Sequence, residues 1–142
     1  KVDISTNEGT AAVDEAIDFL KDQKPLDALR PSKGMSKAAR DHVKDTGPKG
    51  LVGHDGSDGS TPEVRLNRHG KWLKACAENV GYGMDTPRLV VIQLIVDDGV
   101  AGRGHRKNLF NDKYFRTGIA CGKHKTIRSM CVQTLAGEYK EK

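Results

Sequence analysis

Gly102-Arg103-Gly104-His105-Arg106-Lys107-Asn108-Leu109-Phe110 sets one histidine between glycines and basic or amide side chains able to bind anions or backbone. The glycines let the chain fold tightly around the imidazole, so the segment reads as a loop entering a short helical turn. Alone, His105 reads as a hydrogen-bonded structural histidine. Two further groups change that. His54 stands in the glycine-rich loop Gly53-His54-Asp55-Gly56-Ser57-Asp58-Gly59, and Glu78 in Ala77-Glu78-Asn79-Val80. These three are expected to meet in one cleft. Two imidazoles and a carboxylate from separate elements are the ligand set of a three-coordinate zinc site with an open position for water.

The order His54-Asp-Gly-Ser-Asp-Gly-Ser-Thr-Pro, then Ala77-Glu78-Asn79-Val80-Gly81-Tyr82-Gly83, then Gly104-His105-Arg106-Lys107-Asn108-Leu109 resembles the CAP, or SCP-like, superfamily. That group takes in cysteine-rich secretory proteins, insect antigen 5 and plant pathogenesis-related proteins, with many bacterial members. The resemblance covers most of the chain. It implies an α+β fold, a three-layer α/β/α sandwich with a central three- or four-stranded antiparallel sheet. It also implies a cleft of two histidines and two acidic residues, where several members bind a divalent metal. His54 and His105 match the histidines and Glu78 the first acid. The second acid normally lies on the helix before the second histidine. Here Asp97 and Asp98 are the available residues, both shorter than glutamate, and Asp98 is assigned the role.

The chain has 142 residues, which suits one domain burying roughly two thirds of its unfolded surface without a disulfide framework. Charged residues at 30%, hydrophobic ones at 36% and a mean hydropathy of −0.61 describe a soluble globular protein. No apolar run reaches membrane-spanning length. The chain opens at Lys1 with neither methionine nor an apolar leader, so either a leader was removed or the chain was trimmed, and the resemblance implies a secreted domain with its signal peptide removed. The net charge is +5 and the pI near 9.2. Basic residues gather at Arg103, Arg106 and Lys107 and again at Lys123, Lys125 and Arg128, with no aromatic interleaving and no nucleic-acid motif. They read as solvated surface, so no nucleic-acid partner is expected, and an acidic partner or a membrane surface stays open.

Three cysteines do not make a zinc ribbon and leave one unpaired if a disulfide forms. If the last two strands form a hairpin centred near Thr126, Cys121 and Cys131 fall opposite each other and can bond; another register separates them. Cys76, between Ala75 and Ala77, reads as an inert core thiol.

Residues 1–9 are expected to form a flexible N-terminal segment before a single domain over 10–142. Thr10 is placed to cap a helix to about residue 23, with Val13, Ile17 and Leu20 as its core face. A second helix is expected over about 35–45, closed by Gly47-Pro48, with His42 at its surface or boundary. The Asp-Gly repeats of the next loop lack the ligand alternation of an EF-hand, which rejects calcium by that motif. Ser60-Thr61-Pro62-Glu63 opens a short helix through Arg68, and His69 at its end favours the negative terminus. Trp72 and Leu73 lead into a strand over 75–81. Residues 89–96 are branched enough to be a strand on propensity. The Thr86-Pro87 start and the family resemblance make them a buried helix instead. Strands over 115–121 and 127–136, joined by Gly122-Lys123-His124-Lys125, complete the domain.

Two functional readings follow. As a metal-dependent hydrolase, Zn2+ or another divalent cation would activate water with Glu78 or Asp98 as general base. Against it, the sequence has no His-Glu-x-x-His helix, no Gly-x-Ser-x-Gly elbow and no nucleophile beside His105. Ser57 and Ser60 sit in a turn, where short hydroxyls bond the backbone. The favoured reading is a binding module, because the resemblance implies a rigid scaffold whose members bind sterols, fatty acids or protein partners. A blander one has His54, Glu78 and His105 as a buried polar network that fixes the loops.

Overall fold

The structure, a computed structural model, describes residues 4–142. Alternation along β2 (Gly70–Tyr82) defines the layers. Val80 packs with Ala39 and Val43 of α2 (Lys33–Thr46), whereas Gly81, one residue on, abuts Val90 and Gln93 of α4 (Pro87–Val96). Successive strand residues face opposite sides, so α2 and α4 lie on opposite faces of the sheet. α3 (Pro62–Arg68) joins α2. α1 (Thr10–Asp22) and α5 (Gly104–Leu109) join α4. This is the expected three-layer sandwich.

The sheet has four strands in the order β1-β3-β4-β2, with β1 (Arg30–Pro31), β3 (Arg116–His124) and β4 (Arg128–Glu141) beside β2. β2 and β3 flank β4 antiparallel, but β1 runs parallel to β3, so the sheet is mixed at that edge and not wholly antiparallel. Small residues let α2 lie close on the sheet: Ala38 and Ala39 are buried in it, and Gly118 of β3 sits directly under the backbone of Met35 and Ser36.

Helix starts follow local chemistry. The hydroxyls of Ser32, Thr61 and Thr86 accept the N–H groups of Met35, Val64 and Leu89, at 3.2, 3.4 and 3.2 Å. Proline follows two of these caps. Residues 89–96 are therefore helical despite their branching, as expected. α4 is only partly covered, however: Leu94 is buried and Val91 is exposed, where a buried helix was expected.

Other expectations need correction. Gly9, not Thr10, caps α1. That helix docks through Ala12 and Ala16, and Val13, Ile17 and Leu20 are exposed. Helical spacing shows which residues share a face; close approach of the alanines and the pairing of Glu15 with Arg106, at 2.5 Å, decide which face is covered. His42 is fully buried, not at the surface, because its Nε2 reaches the carbonyl of Gly53 at 2.8 Å. His69 meets Asp41 at 2.7 Å, not its helix terminus. Of the N-terminal segment expected to be flexible, residues 1–3 lie outside the described residues. Asn7 and Glu8 donate their N–H groups to Asp98 at 2.7 and 3.0 Å, so this part is tied down.

β2 begins at Gly70, with a bulge between Leu73 and Cys76 where Lys74 takes φ 71°. The β3–β4 turn lies at 125–127, so Gly122, Lys123 and His124 belong to β3. Cys121 pairs with Cys131 in register and the two form a disulfide, leaving Cys76 free. Burial pushes the Cys76 thiol up to about 11, which suits an inert group. Among the described residues, no helix is long and apolar enough to cross a membrane.

Candidate ligand-binding cleft

β2 is an edge strand; the His54 ring reaches its Glu78 from the loop after α2, and the His105 carbonyl at the start of α5 accepts from its Asn79. His54 Nδ1 lies 3.0 Å from Glu78 Oε1. Glu78 is buried, and Arg65 neutralises it: one guanidinium nitrogen donates to both carboxylate oxygens, at 3.1 and 2.9 Å. Arg65, itself buried, also donates to the carbonyls of Ser60 and His54, at 2.6 and 2.9 Å. One cation thus fixes both the acid and the loop that carries the histidine.

His105 has a separate partner. Its Nδ1 lies 2.7 Å from Asp97 Oδ1, and its backbone N–H donates to Asp97 Oδ2 at 2.9 Å. Asp97 ends α4 in a left-handed conformation, φ 53°, which turns its carboxylate back onto the start of α5. The acidic partner of His105 is therefore Asp97. Asp98, assigned that role from sequence, holds the N–H groups of Asn7 and Glu8 instead. Asn79 accepts from Asn108 at 2.9 Å and donates to the His105 carbonyl at 3.3 Å, tying α5 to the strand.

The structure thus makes two histidine–carboxylate pairs, not one cluster of His54, Glu78 and His105. Among the described residues, no three of His, Cys, Asp or Glu gather as a metal-holding group. With a carboxylate on each Nδ1, the neutral rings carry their proton there and keep Nε2 as a free lone pair. Among the described residues, no hydroxyl or thiol is hydrogen-bonded to either imidazole: the Ser57 hydroxyl donates to Asp45, and the Ser60 backbone N–H donates to Asp58. Glu78, with both oxygens engaged, is poorly placed as a general base.

Beside the His105–Asp97 pair lies a cavity of about 510 Å³ between α1, α4 and β2. Val13, Leu89, Ile92 and Val96 supply aliphatic walls, and Asp97 and His105 line one end. His54 and Glu78 do not line it. Residues 15–135 match the family model for the cysteine-rich secretory protein family, CAP. The chain belongs to the CAP family. No curated protein sequence matches it.

The CAP domain is similar in fold to an outer surface protein of Borrelia burgdorferi, 20% identical, over 98% of this chain and 97% of that one, with a TM-score of 0.64. An extracellular SCP-domain protein of Bacillus anthracis is 18% identical over 96% of this chain and 45% of its own, with a TM-score of 0.59. A cysteine-rich secretory protein of Staphylococcus aureus is 18% identical over 93% and 38%, with a TM-score of 0.55. This chain spans less than half of the latter two.

The hydrogen bond to Glu78 holds the His54 imidazolium, raising its pKa above the ordinary value despite partial burial. A raised folded value means the pair's contribution to stability is complete below the unfolded pKa of about 6.5 and is lost as pH rises through the folded one. An NMR titration of the His54 ring in this CAP domain should show an elevated midpoint that moves down in Glu78→Gln. An unshifted midpoint in the wild type would remove the pairing.

Proposed function

We propose that this CAP domain is a secreted binding module that takes an apolar ligand, a fatty acid or sterol, in the cavity between α1, α4 and β2. The cavity itself carries the reading. Its 510 Å³ lies within the roughly 300–1,000 Å³ of small-molecule sites, and its walls are aliphatic with one polar end. There His105 Nε2 is free to accept a hydrogen bond from a ligand hydroxyl or carboxylic acid. Both oxygens of Glu78 are engaged by Arg65, which disfavours it as a general base and favours binding over hydrolysis. Secretion is supported by the Cys121–Cys131 disulfide, a bond of oxidising compartments.

The test is titration with a fluorescent fatty-acid analogue and a fluorescent sterol. Ile92→Trp fills the cavity from α4. It should weaken binding roughly tenfold or more, equivalent to about 1.4 kcal/mol, with little change in melting temperature. Equal binding by wild type and variant, or none by the wild type, would overturn the proposal.

The free Nε2 atoms favour a second reading, a divalent cation held by His54 and His105 with Glu78 and Asp97 orienting the rings from behind. The residues offer two imidazoles, each with its own carboxylate behind it, and not the three-ligand zinc set expected from sequence. Bound there, a metal would polarise a ligand oxygen. Zinc calorimetry on wild type and His54→Ala/His105→Ala decides it: one-to-one binding lost in the variant supports the reading, and no wild-type binding ends it.

A further inference from the structure

We propose that the end of the molecule formed by the β3–β4 turn and the loop after α2 is a docking surface for an anionic lipid bilayer. Three aliphatic side chains stand out there: Val52 is 64% exposed, Leu51 41% and Ile127 38%. They come from two segments braced as one body. Lys125 donates its N–H to the Gly47 carbonyl at 2.9 Å, and the Gly53 N–H donates to the Tyr82 hydroxyl at 2.9 Å.

His124 joins the segments from beneath. Its buried ring accepts at Nδ1 from the N–H groups of Thr126 and Ile127, at 3.3 and 3.2 Å. The ring proton therefore sits on Nε2, which donates to the Leu51 carbonyl at 3.0 Å. Tyr82 stacks edge-on against the same ring at 5.3 Å. Leu51 and Ile127 are thus bonded through one side chain while their own side chains point to water. None of the three aliphatic residues lines the cavity, so the proposal does not rest on the lipid-binding reading.

Charge selects the partner. Lys123, Lys125 and Arg128 flank Ile127, and Lys49 flanks Leu51. Lys49 is paired with Asp45, and Arg128 lies 3.9 Å from Asp85. Lys123 and Lys125 have no acidic partner among the described residues. Aliphatic groups ringed by lysine ammonium groups match a bilayer, where the former enter the interface and the latter meet lipid phosphates.

The experiment is co-sedimentation of the whole domain with vesicles of phosphatidylcholine alone or mixed with phosphatidylserine. Binding should appear with the mixed vesicles and fall with added salt. Lys123→Gln/Lys125→Gln should weaken it about twenty-five-fold, at a factor of about five per basic residue. Val52→Ser/Ile127→Ser should weaken it as well, and both variants should melt near the wild-type temperature. A Val52→Trp reporter should shift its emission to the blue on the mixed vesicles. No binding, equal binding to phosphatidylcholine alone, undiminished binding by either double variant, or an unmoved reporter spectrum would each overturn the proposal.

Discussion

Arg65→Ala should destabilise the domain by about 3–5 kcal/mol, the cost of leaving a buried charge without its partner. Arg65 and Glu78 side chains are 2% and 1% exposed, so water cannot replace the lost guanidinium. The change also strips the carbonyls of Ser60 and His54 of their donor. Against a total of roughly 5–15 kcal/mol for a domain, that is a large share. Chemical denaturation measures it. Arg65→Met/Glu78→Met should recover much of the loss, because it removes both charges and keeps the volume filled. A double variant no more stable than Arg65→Ala would show that the unpaired carboxylate is not the source.

Gly118→Val should prevent α2 from seating on the sheet. A Cβ at Gly118 would lie 2.6 Å from Met35 Cβ and closer still to the Met35 carbonyl carbon and the Ser36 nitrogen. Backbone atoms cannot rotate aside as a side-chain tip does. The cost should therefore reach or exceed the upper end of the roughly 1–3 kcal/mol usual for overpacking, with loss of soluble protein. Gly102→Ala is the control, since a Cβ there meets nothing within 4 Å, and should fall within about 0.5 kcal/mol of the wild type. Comparable melting of Gly118→Val and Gly102→Ala would mean that α2 does not rest on β3.

What could be read from the sequence was local chemistry and motif order. Thr61-Pro62 and Thr86-Pro87 announce helix starts within a few residues, which is why the branched run in α4 could be assigned correctly. The family could be recognised because three short motifs stand in a fixed order. The buried side of α1 was hidden, because Val13, Ile17 and Leu20 share a face whichever way the helix is turned. Its orientation depends on Glu15 meeting Arg106, far along the chain.

In the site, the pairing of His54 with Glu78 was foreseeable, and that of His105 with Asp97 was not. Two adjacent aspartates are alike in sequence, and only the left-handed backbone at Asp97 separates them. Arg65 was missed because an arginine on a short polar helix looks like surface. The usable signal was Glu78 itself: a carboxylate placed in a buried strand demands a cation nearby, and the preceding helix carries one.

The strand order also sets how the chain reaches this state. Only β3 and β4 are neighbours along the sequence, and their hairpin can close on its own before Cys121 and Cys131 lock it. β1 must find β3, and β2 must find β4, across long stretches of chain whose closure entropy comes due before any pairing repays it. Until α2 and β2 arrive, Met130 and Val132 stand in water on a strand with an open edge. The topology thus builds in a slow interval during refolding in which collisions between chains compete with completion of the sheet.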